Sequence, residues 1–222
     1  MPCDIVTNVE TDEAVAALTF DDGPHPIYTP QLLDILDRHK AKATFFMVGK
    51  AAGNHRNIVK MASRAGHAIG NHSWGHHNLK RIASRLRRLK WLLASAWTTA
   101  PYGCRLFRPP YGAYNNSICY DASLLQYRII LWNASAQDWI PQDSNQIARK
   151  IEDRMAPGTI FLLHDAIYSS HLPDSETMID RTPMLKGLDA ALEKLKSKID
   201  FITVPDLLRT GRPVGNWPLN SA

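Results

Sequence analysis

The chain has 222 residues, 45% hydrophobic and 21% charged, with a formal net charge of +5 at pH 7. That length suits one large domain able to bury a core without staples, and the composition excludes a disordered or low-complexity chain. No apolar run reaches the roughly 18 residues of a membrane span. Met1-Pro2-Cys3-Asp4-Ile5-Val6 has no basic region followed by an apolar block, so the expected compartment is the cytoplasm, or an extracytoplasmic one if a leader has been removed. Cys3, Cys104 and Cys119 match no zinc spacing and argue against a disulfide framework.

Strand-like and helix-like runs alternate along the chain. An apolar run from Ala14 to Leu18 leads into Thr19-Phe20-Asp21-Asp22-Gly23-Pro24, where two carboxylates meet a strand breaker. A helix is expected over Tyr28 to Arg38 and a buried strand over Thr44 to Val48. A helical stretch follows from Gly49 to about Ala65, closed by Gly66. His67 to Asn71 is a short strand leading into His72-Ser73-Trp74-Gly75-His76-His77.

A basic helix is expected from about Leu79 to Trp97, with Leu79, Ile82, Leu86, Leu89 and Leu93 as its buried stripe. Its cations, Lys80, Arg81, Arg85, Arg87, Arg88 and Lys90, then form a solvated face, and no nucleic-acid partner is expected. Leu106 to Arg108 is a short strand stopped by Pro109-Pro110, residues 115–120 carry no clear pattern, and Arg128 to Trp132 is a strand. Asn145 to Met155 is a helix capped by Asp143 or Ser144, and Thr159 to Leu163 is a buried strand ending at His164-Asp165. Residues 166–181 have the polarity and length of a functional or mobile loop. Pro183 to Lys198 is a helix, Phe201 to Val204 a last strand, and the tail after Arg209 is expected to pack loosely.

About seven strand–helix alternations imply a parallel sheet covered by helices. Polar clusters follow several different strands, and a barrel brings all such ends to one mouth. The expected fold is therefore a distorted (β/α) barrel, one domain over residues 1–222 with its core at about 15–208.

His72 and His76, four apart, would share one face if they lay on a helical turn, and could then reach one ion. One of Asp21 and Asp22 would complete a two-histidine, one-carboxylate set that keeps a position open for water.

Thr19-Phe20-Asp21-Asp22-Gly23-Pro24, Gly66 through His76, Arg108-Pro109-Pro110-Tyr111-Gly112, Asp138-Trp139 and Leu162-Leu163-His164 resemble, in order, the motifs of the polysaccharide deacetylase family (carbohydrate esterase family four, NodB-like). The resemblance implies metal-dependent removal of acetyl groups from sugars, usually N-acetylglucosamine in chitin-like or peptidoglycan chains. It implies Asp22, His72 and His76 as metal ligands, Asp21 as general base and His164 as general acid. Arg108 is implied as the partner that orients and tunes Asp21, and the Tyr111 amide as an oxyanion donor. Trp139 and Leu162 would wall the acetyl pocket, with Asp138 beside them in the substrate-binding set. Zn²⁺ is the expected ion, with Co²⁺ or Ni²⁺ also acceptable to such donors.

At Ser135 the chain departs from the pattern, since many members carry there an aspartate that tunes the acid histidine, so the His164 cation is expected to be less stabilised unless Asp138, Asp165 or another group compensates. That departure keeps open a related amidase or esterase acting on O-acetylated xylan, a formamide or a cyclic imide, as well as an inactive carbohydrate-binding relative. The sequence sets no oligomeric state.

Overall fold

The computed structural model describes residues 4–168 and 179–215. Its strands are β1 (Ile5–Val6), β2 (Asn8–Glu10), β3 (Val15–Asp21), β4 (Ala43–Met47), β5 (Ala68–Asn71), β6 (Gly103–Phe107), β7 (Arg128–Ile130), β8 (Ala134–Ser135), β9 (Ile160–His164), β10 (Asp200–Phe201) and β11 (Arg212–Val214). Its helices are α1 (Tyr28–Arg38), α2 (Gly49–Asn54), α3 (Arg56–Arg64), α4 (Arg85–Thr99), α5 (Asn116–Leu124), α6 (Ser144–Arg154), α7 (Thr182–Leu195) and α8 (Val204–Leu207), with 3₁₀ turns at Leu79–Arg81 and Pro110–Gly112.

One parallel sheet runs β1-β7-β6-β5-β4-β3-β9-β8, and β10 pairs with the start of β3. The sheet curls into a half-barrel, and its end strands β1 and β8 do not pair with each other among the described residues. This is the expected distorted barrel, with nine strands in the sheet rather than about seven. The additions are β1 and β8, each only two residues long. Such short pieces show no period in a sequence and are held by their neighbours' ladders.

Alternation along β3 sets up the site. Ala16, Leu18 and Phe20 pack with Leu32, Leu36, Leu163, Leu188 and Leu192 under the helices. Ala17 joins Phe46, Leu106, Ile130 and Ile160 on the other face, inside the curl. By the two-residue period of a strand, Thr19 and Asp21 share that inner face. In β9, Phe161 and Leu163 pack under the helices, so Leu162 and His164 face inward, and Asp21 stands in register with His164.

Several expectations need correction. The helix from Gly49 is two helices, broken at His55, whose φ and ψ of −127° and 46° are not helical. The unpatterned stretch around 115–120 lies in α5, capped by Asn115, which accepts from the Ile118 amide. The last strand ends at Phe201, and Val204 begins α8. The tail is not loose throughout, because β11 pairs antiparallel with β2; residues 216–222 lie outside the described residues, as do 169–178 of the expected loop.

The basic helix differs most. Residues 82–84 separate the turn at Leu79–Arg81 from α4, and Ser84 caps α4 by accepting from the Arg87 amide. Arg88 is buried, donating through Nε to Asp121 Oδ2 on α5 at 2.7 Å and through Nη1 to the Ile82 carbonyl at 2.6 Å. The buried face of α4 is Arg88, Leu92, Ser95, Thr98 and Thr99, whereas Leu86, Leu93 and Trp97 are 63%, 54% and 76% exposed. A buried ion pair, rather than the leucine stripe, sets which face turns inward.

Candidate active site

Arg108 directly follows β6 and is fully buried, its guanidinium 4.2 Å from the Phe46 ring centre. Gly70 makes room for that ring, since a Cβ there would lie 2.6 Å from Phe46. Nη1 donates to Thr19 Oγ1 and Asp21 Oδ1, both at 2.8 Å. Nε and Nη2 donate to the carbonyls of Ile130 and Leu131 at 3.0 and 2.8 Å. A buried cation needs such pairing and hydrogen bonding to offset its lost hydration. Asp21 keeps its other oxygen, Oδ2, 3.7 Å from His72 Nε2.

Asp22 has φ of +76°, a left-handed conformation, just where β3 ends. This departure from extended geometry lets adjacent side chains serve one site, which a regular strand forbids. Gly23 comes next because a Cβ there would sit 2.3 Å from the buried Asp165 carboxylate.

His72 and His76 do not lie on a helix. They flank a turn in which Ser73 and His76 take φ of +67° and +53°. His72 Nδ1 stands 2.7 Å from the Arg108 carbonyl; a carbonyl only accepts, so Nδ1 carries the proton and Nε2 presents a lone pair. That Nε2 and the Nε2 of His76 lie 3.4 and 3.2 Å from Asp22 Oδ1. Asp22 Oδ2 accepts from the Tyr168 amide at 3.0 Å, while Oδ1 is buried without a hydrogen bond.

Three buried acceptor atoms, all within 4.8 Å of one another, thus face a common point. A divalent cation fits there: the donors are of zinc type, and the orphaned Oδ1 is the oxygen that both imidazoles face. Burial alone would raise the Asp22 carboxyl, yet His76, His72 and His164 around it hold it well below the usual carboxylate range. Burial pushes His76 down to about 4, so its ring is neutral, as a ligand must be.

Across the site, His164 Nδ1 stands 3.0 Å from Asp138 Oδ1. Asp138 Oδ2 accepts from the His164 amide at 2.9 Å and from Arg181 Nη2. Arg181, itself buried, also donates to the Asp138 carbonyl at 2.9 Å and the His164 carbonyl at 3.1 Å. Burial disfavours the His164 cation, but Asp138, aided by Asp22 and Asp21, overrides it and raises the imidazole to about 9.

This settles one alternative and corrects one expectation. The negative partner of His164 is Asp138, which makes up for the aspartate absent at position 135; Ser135 lies in β8, its carbonyl accepting from Arg154 Nη1 at 2.7 Å. Nor does Asp138 present its carboxylate to a substrate, because its side chain is 0% exposed and both oxygens are engaged. Trp139 is 42% exposed and stands edge-on to His164 at 5.4 Å, while Leu162 is buried. Tyr111 is 58% exposed, with φ of +62° and its ring 4.6 Å from that of His76.

Arg181 is the residue that sequence reasoning misses, since it falls in the polar stretch before α7. Its one sequence signal is a lone arginine immediately ahead of an expected helix. Other histidines stand apart from the set: His67 Nδ1 accepts from the Ala43 amide, His77 stacks on Trp91, and His25 stacks on Tyr28. Cys119 is disulfide-bonded and Cys104 is a free thiol, so the expectation of no disulfide is overturned.

Comparison with known proteins agrees with the motifs. The profile of the polysaccharide deacetylase family matches residues 8–130. A peptidoglycan-N-acetylglucosamine deacetylase of Bacillus cereus is 33% identical over 212 residues, 92% of this chain and 93% of that protein. A chitooligosaccharide deacetylase of Azorhizobium caulinodans is 36% identical over 168 residues, 73% and 77% of the two chains. The crystal structure of a peptidoglycan N-acetylglucosamine deacetylase superposes with a TM-score of 0.81 at 28% identity, covering 95% of each chain.

Proposed function

We propose that this chain, which belongs to the polysaccharide deacetylase family, removes the acetyl group from the nitrogen of N-acetylglucosamine units in peptidoglycan- or chitin-type chains, as one domain over residues 1–222. It is a deacetylase, and relatives named for both polymer types support that substrate class. The observation that carries the reading is the meeting of Asp22, His72 and His76 at one buried point, with Asp21 on one side and the Asp138-paired His164 across from it.

Asp22, His72 and His76 would hold a divalent ion, Zn²⁺ first, with Co²⁺ or Ni²⁺ compatible with the same donors. When bound, that ion supplies a Lewis acid that polarises the acetyl carbonyl and lowers the pKa of a water toward about 7. Asp21, gripped through Oδ1 by Arg108, uses Oδ2 to take the proton of the attacking water as the new C–O bond forms. The Tyr111 amide meets the charge growing on the carbonyl oxygen. His164, held as a cation by Asp138, gives its proton to the nitrogen as the C–N bond breaks, leaving acetate and a free amine. Trp139 and Leu162 enclose the acetyl methyl.

With Asp138 beside His164, Ser135 gives no reason to prefer xylan, a formamide or a cyclic imide. The disulfide at Cys119 supports action outside the reducing cytoplasm.

Acetate release from N-acetylglucosamine oligomers and peptidoglycan fragments tests the reading, before and after chelation and with each ion restored. Release lost on chelation and regained with Zn²⁺ is expected. Release only from O-acetylated xylan, or full activity in chelator, contradicts it.

A further inference from the structure

The exposed side of α4 is unlike a solvated helix face. Leu86, Lys90, Leu93 and Trp97 are all exposed and follow a four-, three-, four-residue spacing. On a helix these positions lie within about 60° of arc, over about 16 Å of length. They are opposite the buried residues Arg88, Leu92, Ser95 and Thr99. Nothing in the proposed chemistry uses this stripe.

The surrounding charge has one sign. Lys80, Arg81, Arg87 and Lys90 are exposed and make no ion pair among the described residues. The segment from Leu79 to Thr99 contains no acidic residue. The positive end of the helix dipole adds to the same end, where the cations gather.

A partner must therefore be anionic and must also accept large apolar side chains. A second copy of the chain would accept the apolar side chains along this stripe but fails the other need, since Lys90 and Arg87 would oppose their own counterparts. Duplex or single-stranded nucleic acid would satisfy the cations and leave Leu86, Leu93 and Trp97 without a role, because aromatic residues are not interleaved with the basic ones. An anionic bilayer surface satisfies both, with leucine and tryptophan at the headgroup–acyl boundary and lysine and arginine on the lipid phosphates.

We propose that α4 seats the protein side-on against an anionic lipid surface, without crossing it. The chain leaves β5 at the end of the sheet where His72 lies and re-enters the sheet at the start of β6, so α4 runs back along the outer wall. Docking through this wall leaves the active-site mouth open to a polymer beside the membrane.

Co-sedimentation of the full chain with vesicles of phosphatidylcholine alone, and of phosphatidylcholine with phosphatidylglycerol, tests this directly. The protein is expected to bind the anionic vesicles, to ignore the neutral ones and to be released by salt. Leu93→Ser with Trp97→Ser, and separately Arg87→Glu with Lys90→Glu, should each weaken binding by about tenfold or more. Both double variants should keep the wild-type melting temperature and the wild-type rate on a soluble oligomer. Failure to bind anionic vesicles, equal binding to neutral ones, or full retention by either variant overturns the proposal. So does duplex binding without lipid binding, or a lipid-free dimer that Trp97→Ser dissolves.

Discussion

At the end of β3, Arg108 donates to one oxygen of Asp21 and leaves the other facing His72, whereas below His164 both oxygens of Asp138 are engaged, by the histidine and by Arg181. Both aspartates are buried, and both have a buried arginine partner. What separates them is the oxygen left over. Asp21 has one to offer to a reacting water, and Asp138 has none, so it can act only through the histidine it holds. A third buried pair, Arg88 with Asp121, touches no histidine among the described residues and ties α4 to α5. In the proposed mechanism the same charge pairing thus serves a base, an acid and a structural strut, according to what stands at the remaining oxygen.

Breaking the first pair should have the largest effect. Asp21→Asn keeps the shape and the Arg108 contact but removes the proton acceptor, so kcat should fall by about 10²- to 10⁴-fold. Metal content, measured by elemental analysis, should stay at the wild-type level, because Asp22 rather than Asp21 faces both Nε2 atoms. A variant that loses its metal would give Asp21 a ligand role instead.

The second pair is probed through its arginine. Arg181→Lys retains a cation but cannot reproduce the fork that spans Asp138 and the His164 carbonyl, and should lower kcat by about tenfold with metal content unchanged. Unaltered steady-state kinetics would mean that the His164–Asp138 contact holds itself. The third pair sharpens the contrast from the other side. Arg88→Ala removes a buried partner of Asp121 and should cost about 2–3 kcal/mol, a drop in melting temperature of several degrees, with kcat preserved. A large loss of kcat there would tie α4 to the chemistry.

Parts of this arrangement were legible in the sequence for identifiable reasons. The inner strands announce themselves as apolar runs because both their faces are covered, and each run that matters stops at a charged or polar cluster. Asp21, Asp22, His72, His76, Arg108 and His164 all lie at or just past such stops. The convergence of Asp22, His72 and His76 depends on left-handed residues at Asp22, Ser73 and His76, which no residue pattern discloses.

Asp138 was legible as a motif residue and as one of two aspartates that could hold His164, but the choice of it over Asp165 was not, since that pairing joins residues 26 apart through a backbone amide and a ring nitrogen. Arg181 reaches back 43 positions to Asp138. On α4 the helical period is correct and the buried side is not. Periodicity marks the stripe at Leu86 and Leu93, but the Arg88–Asp121 pair and the break at 82–84 decide the rotation.

The separation of roles between the two aspartates is tested most directly by the pH dependence of kcat/KM in the wild type and in Asp138→Asn. Folding raises His164 from 6.5 to about 9, so the stability that its charged form contributes is complete below 6.5 and is lost as pH rises through about 9. Activity that needs the same proton should fall along the same alkaline limb, near pH 9. In Asp138→Asn the burial of the ring loses its main opposition, and the limb should move down by about one pH unit or more. An alkaline limb in the same place in both proteins would contradict the assignment of Asp138 as the group that keeps His164 charged.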